Sequence, residues 1–190
     1  MTGAPAPAGP ARRHPAAPPS VMMQPGTDAE EPMADQAMER TTIEAPLERC
    51  VVVAEDVERY PEWARDVKSV DVLERDEEGR AARVAFRAAA MGHSARYVLR
   101  YSYAGGTSEP ADPVRISWVL EQGDIMRRLD GEYVFEPGDG DDEATTVTYR
   151  LAVELAVPLP GFVKRRAETK IITTALDELK RRCEGAASQN

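Results

Sequence analysis

Residues 161–183 read GFVKRRAETKIITTALDELKRRC, and the apolar positions Val163, Ala167, Ile171, Ile172, Ala175, Leu176, Leu179 and Cys183 return at steps of three and four. That spacing puts them on one broad stripe of an α-helix. At 1.5 Å per residue the helix is about 33 Å long, so a single hairpin cannot cover the stripe. A wide sheet or several helices must lie against it.

The upstream residues supply a sheet. Segments 67–76, 80–89, 94–103, 114–122, 125–137 and 145–157 alternate apolar and polar residues, and they end at turn signals such as EEG, MGH, AGGTSEPADP, QGD and GDGDDE. Alternation of this kind between short turns predicts an antiparallel meander of six strands. Ahead of it, 36–43 reads as a further strand through Met38, Thr41, Thr42 and Ile43. Pro46 suits the first position of a short helix, LERCVVVAED. Asp56 is placed to cap the next turn, VERY, and Pro61 to stop or redirect it before Trp63. Strand, two short helices, six strands and a long helix is an α+β order. It gives one domain over 36–185, with 186–190 as a disordered end.

Residues 1–35 are rich in Ala, Pro and Gly and have no hydrophobic period. Such a segment cannot offset the entropy of ordering, so it is expected to be disordered. The sequence allows translation to start at Met1 or at Met33. A net charge of −9 over 190 residues argues against nucleic acid, since a phosphate backbone would be repelled. Without an apolar run of membrane-span length or a signal core, a cytoplasmic protein is expected. Cys50 and Cys183 lack metal-ligand or CxxC spacing; both are expected to be small hydrophobes or free thiols, with no metal and no cofactor.

Strand parity then assigns faces. One face carries Ala82, Val84, Phe86 and Ala88; Tyr97, Leu99, Tyr101 and Tyr103; Ile116 and Trp118; Leu129, Tyr133 and Phe135; and Val147, Tyr149 and Leu151. The opposite face carries the strand arginines and glutamates. The apolar face is therefore expected to meet the helix and, because burying an unpaired charge costs several kcal/mol (roughly 3–5), to hold almost no charge.

Ile43-Glu44-Ala45-Pro46, a helix ending Ala54-Glu55-Asp56, then Tyr60-Pro61-Glu62-Trp63, six strands and a long final helix resemble the START-like (SRPBCC) superfamily. Within it the chain is most similar to the bacterial polyketide cyclase/dehydrase and coenzyme Q-binding branch. The resemblance implies a helix-grip (START/Bet v 1-like) fold, in which a curved antiparallel sheet of about seven strands wraps the long C-terminal helix. It also implies a hydrophobic cavity between them, used to bind or carry lipids, quinones, steroids, hormones or polyketides. A minority of the family catalyses cyclisation or dehydration.

Two readings of function follow. In the first, a hydrophobic small molecule is bound or transferred, lined by Phe86, Tyr97, Leu99, Tyr101, Trp118, Tyr133, Tyr149, Ile171 and Ala175, with Trp63 and Met91 at the mouth. In the second, a cyclase or dehydrase works in the same cavity, with His93 or a tyrosine as acid or base. A pure interaction protein with a filled core is a third possibility. The acidic run GDGDDE lacks the spaced ligands of a calcium loop and reads as a solvated hairpin tip. Leu159, Phe162, Lys164, Arg165 and Arg166 together resemble a small membrane-surface contact, each basic residue contributing about 1 kcal/mol at an anionic bilayer.

Overall fold

The computed structural model describes residues 37–90, 93–106, 112–138, 141–156 and 161–185, with the backbone alone for 90, 93, 141, 142 and 161–164. All belong to the unit Met33–Asn190. The segments 1–35 and 186–190, expected to be disordered, lie outside the described residues.

The elements are β1 (Ala37–Ile43), α1 (Leu47–Glu55), a 3-10 turn (Val57–Arg59), α2 (Tyr60–Trp63), β2 (Val67–Arg75), β3 (Ala81–Ala90), β4 (His93–Ala104), β5 (Val114–Gly123), β6 (Met126–Gly138), β7 (Asp141–Leu155) and α3 (Gly161–Gly185). The strands form one antiparallel sheet in the order β1-β7-β6-β5-β4-β3-β2. Each strand from β2 to β6 thus pairs with its successor, and β1 lies along the free edge of β7, with Ala37 opposite Leu151 and Ile43 opposite Thr145. The sheet is curved, and its ladder is interrupted in β2–β3, β4–β5 and β6–β7; such bulges increase local twist and bend the strands. Among the described residues no helix is long and apolar enough to cross a membrane.

Helix α3 lies against the sheet through Glu168, Ile172, Leu176, Leu179 and Cys183, all 2% exposed or less. Steps of four and three keep these on one line. Its seam with α1 contains both cysteines, fully buried, with the Cys50 thiol donating to the Ala45 carbonyl at 3.8 Å. Thr145, also fully buried, donates its hydroxyl to the Ala45 carbonyl at 2.7 Å and so ties the start of α1 to β7.

Several local expectations need correction. Pro46 precedes the first helical residue instead of occupying it, while Pro61 sits in the first turn of α2, where the 3-10 turn gives way to a new helix. Asp56 makes no side-chain cap; its carbonyl accepts from Arg59 N at 3.1 Å. In β3 the buried alanine is Ala81, not Ala82, because the bulges beside Glu74 shift parity at that end.

The outer face is a lattice of ion pairs. Arg83 meets Glu121 at 2.8 Å and Glu74 at 3.4 Å, Arg100 meets Glu121 at 3.0 Å, and Arg115 and Arg150 share Glu132. The Arg40–Glu136 pair, 3.8 Å apart, joins the strands on either side of β7. Arg40 stands opposite Thr148, and Glu136 opposite Thr146. The small threonines between these long side chains are buried even on the outer face.

Candidate functional site

Pairing register sets the rings on the inner face side by side. Phe86 of β3 is opposite Tyr97 of β4, Tyr101 is opposite Trp118 of β5, and Tyr133 of β6 is opposite Tyr149 of β7. The rings form a continuous band. Trp63 meets Tyr60 edge-on at 4.8 Å, Phe86 stacks on Tyr97 at 5.4 Å, and Phe86 reaches Tyr101 at 6.5 Å. Trp118 then lies 5.9 Å from Tyr101, 5.4 Å from Tyr133 and 5.7 Å from Tyr149, between ring centroids. These spacings fall in the range where offset and edge-on ring contacts are favourable.

Trp118 fits because the residue opposite it in β6 is Gly131. A Cβ there would stand 2.7 Å from the tryptophan ring and 2.7 Å from the Arg150 carbonyl oxygen. Only the missing side chain allows the indole to lie against the β6 backbone.

The tyrosine hydroxyls divide into two sets. Tyr60 donates to the Ala54 carbonyl at 2.6 Å and Tyr103 to that of Ala81 at 2.7 Å, while Tyr133 and Tyr149 lie against each other with ring centroids 4.4 Å apart. Tyr97 and Tyr101 have no hydrogen-bond partner among the described residues, yet no buried side-chain oxygen or nitrogen is left unpartnered there. Both hydroxyls therefore reach accessible space. Burial pushes the Tyr97 phenol up to about 12 and the Tyr60, Tyr101, Tyr133 and Tyr149 phenols above their usual range. At neutral pH all remain protonated, and Tyr97 and Tyr101 are hydrogen-bond donors in search of an acceptor.

Of the residues expected to line a cavity, Phe86, Leu99, Tyr101, Trp118, Tyr133 and Tyr149 are buried together, and Tyr97 and Ala175 pack against them half-buried. Ile171 departs from this group at 42% exposed. The helix stripe is turned so that Glu168 and Ile172 face the sheet, and Ile171 falls beside it. Trp63 packs at one end of the ring band. Met91 and Leu159 lie outside the described residues, as do the side chains of His93, Phe162 and Lys164. The His93 backbone pairs with Ala90 at the tip of the β3–β4 hairpin. Arg165 and Arg166 are exposed at the start of α3.

The strand pattern did not announce two buried carboxylates on α3. Glu168, 2% exposed, accepts the Val153 amide at 3.1 Å and so serves the β7 backbone. Glu178, 7% exposed, accepts the Arg65 amide at 3.2 Å and pairs with its guanidinium at 3.1 Å. Burial raises its pKa, and Arg65 opposes the rise. Glu39 receives a hydrogen bond from Thr173 at 2.7 Å. The helical period carried a signal for Glu168, which stands four residues before Ile172 and eight before Leu176 on the buried line.

Comparison with known proteins follows the same geometry. The family model described as polyketide cyclase / dehydrase and lipid transport matches residues 43–180. Among solved structures the fold is similar to a START superfamily protein from Mycobacterium smegmatis, at 21% identity and TM-score 0.71 over 80% of this chain and 98% of that one. It is also similar to a Thermus thermophilus protein, at 26% identity and TM-score 0.64 over 80% and 99%. The Zhui aromatase/cyclase from a Streptomyces species shares the fold at 16% identity and TM-score 0.62 over 81% and 96%. No protein in the curated set matches the sequence significantly.

Proposed function

Because the chain belongs to the polyketide cyclase/dehydrase and lipid transport family, we propose that it binds and transfers a hydrophobic, ring-containing small molecule held between the inner face of the sheet and α3. The carrying observation is the pair of protonated hydroxyls on Tyr97 and Tyr101, without a partner among the described residues, within a band of aromatic rings. Apolar area supplies most of the affinity, at about 25 cal/mol per Å². The two hydroxyls supply orientation, donating to a carbonyl or ether oxygen of a lipid, quinone or polyketide-like ligand.

A binder is favoured over a cyclase because the interior carboxylates have structural work. Glu168 holds a β7 amide and Glu178 is clamped by Arg65. The tyrosine phenols are displaced away from the pKa that a general base at neutral pH requires. Exposed Arg165 and Arg166 support brief docking on an anionic bilayer as the loading route, weak at about 1 kcal/mol per residue.

The test is native mass spectrometry of the purified chain, followed by organic extraction of any adduct. A stoichiometric quinone, lipid or polyketide is expected, and its retention should fall in Trp118→Ala, Tyr97→Phe and Tyr101→Phe. A mass without adduct, unchanged after incubation with a short-chain quinone and a lipid extract, refutes the reading.

A further inference from the structure

We propose that Arg87 and Arg96 form a binding site for a phosphate-type oxyanion on the outer face of the sheet, opposite the aromatic interior. Most outer-face arginines already have a carboxylate: Arg40, Arg83, Arg100, Arg115, Arg128 and Arg150 each lie within 4 Å of one. Arg87 and Arg96 differ. Each is exposed, and neither has an ion pair or side-chain hydrogen bond among the described residues. They stand directly opposite each other in the β3–β4 register. Like charges at that position, with Cβ atoms about 5 Å apart, repel. An anion between them converts the repulsion into two charge-assisted contacts.

The surroundings form a receptacle. The two arginines border an open depression of about 390 Å³ whose lining also includes Ser69, Asp71, Tyr97, Gln122 and Asp124. Asp124 makes no ion pair with either arginine among the described residues; its carboxylate instead accepts the Arg96 amide at 3.0 Å and the Ile125 amide at 2.7 Å. Asp71 makes no ion pair among the described residues and stands one strand away, opposite Ala85. It repels an anion placed beside it but accepts a hydroxyl. This polarity suits a phosphate ester with its oxyanion at the arginines and an alcohol group toward Asp71. Two guanidinium forks match the charge and the several oxygens of a phosphate better than a single carboxylate. The chain carries a net charge of −9, so attraction must be local and should weaken with added salt.

The same chemistry occurs in soluble phosphate esters and in lipid headgroups, and the experiment separates them. The full-length chain is titrated with inorganic phosphate at low ionic strength while the amide resonances of Arg87, Arg96 and Gln122 are followed. Its co-sedimentation is measured with phosphatidylcholine vesicles containing or lacking phosphatidylglycerol. Saturable shifts are expected in the wild type, with phosphate affinity about tenfold weaker in R87Q and in R96Q and undetectable in the double variant. The ion-paired neighbour variant R83Q should bind as the wild type does. Melting temperature is the folding control: removing one of two repelling charges should leave R87Q no less stable. Phosphatidylglycerol-dependent sedimentation that disappears in the double variant assigns the site to a headgroup. Phosphate binding without it assigns a soluble ester. Absence of saturable binding to either, or binding unchanged in the double variant, overturns the proposal.

Discussion

Replacing Gly131 by alanine probes the inner face through one methyl group. The added carbon would stand 2.7 Å from Cζ2 and 3.0 Å from Cε2 of Trp118, and 2.7 Å from the Arg150 carbonyl oxygen. Comfortable carbon contacts begin near 3.5 Å, so something must move. The carbonyl belongs to the β6–β7 ladder and the indole is fenced by Tyr101, Tyr133 and Tyr149. Overpacking of this kind costs about 1–3 kcal/mol, less the roughly 0.4–1 kcal/mol that alanine returns by restricting the unfolded chain. For a domain of this size a net cost of about 1–2 kcal/mol, the middle of that range, lowers the melting temperature by about 2–8 °C. A double-mutant cycle with Trp118→Phe locates the strain. The smaller ring removes one of the two clashes, so the alanine penalty should drop by about half, a coupling of at least roughly 0.5 kcal/mol. An alanine variant that melts higher than the wild type, or an equal penalty in both backgrounds, would show that the ring and the glycine do not constrain each other.

Three further perturbations test the supporting structure. The hydrogen bond from Arg83, followed by the charges of Arg83 and Arg100, holds the Glu121 carboxyl below its ordinary 4.5. E121Q should therefore be less stable than the wild type at neutral pH, and the gap in denaturant midpoint should close as pH falls through the lowered value. Removing Arg65 leaves Glu178 buried without its cation and raises a pKa that burial has already raised. R65A should lose about 1–2 kcal/mol at neutral pH, moderated because the Arg65 side chain is 65% exposed. That deficit should shrink below about pH 4, where the carboxyl is protonated in both states. T145V deprives the buried Ala45 carbonyl of its 2.7 Å hydroxyl donor and should cost about 1–2 kcal/mol, with faster hydrogen exchange across α1.

The strands were legible because each has one apolar face, and period two in Phe86, Tyr97 to Tyr103, and Ile116 to Leu120 admits a single assignment. The long helix was legible by the same logic at period 3.6. Its rotation was not. Ile171 and Ile172 are equally apolar, and the choice between them was made by Glu168, whose polar side chain concealed that it lies on the buried line. The Ala81 for Ala82 exchange was hidden because a bulge depends on the partner strand, which alternation within one segment does not report. That Arg87 and Arg96 have no ion pair among the described residues was likewise invisible, since pairing on a sheet surface depends on cross-strand register. A list of outward-facing residues contains no such information.

The position of β1 bears on how the protein is made. This strand leaves the ribosome first among the described strands, yet its only sheet neighbour is β7, and Ala37 must wait for Leu151. At a synthesis rate of about 5–20 residues per second, its partner emerges roughly 6–23 s later. The strands from β2 onward can pair with their predecessors as they appear, whereas β1 must remain unmatched until the meander is nearly complete. Its polar positions Glu39, Arg40, Thr41 and Thr42 then guard a nascent strand against adhesive encounters with other chains. Pairing of β1 with β7 is the late, long-range event of folding, and ordering of α3 over the finished β1–β7 edge completes it.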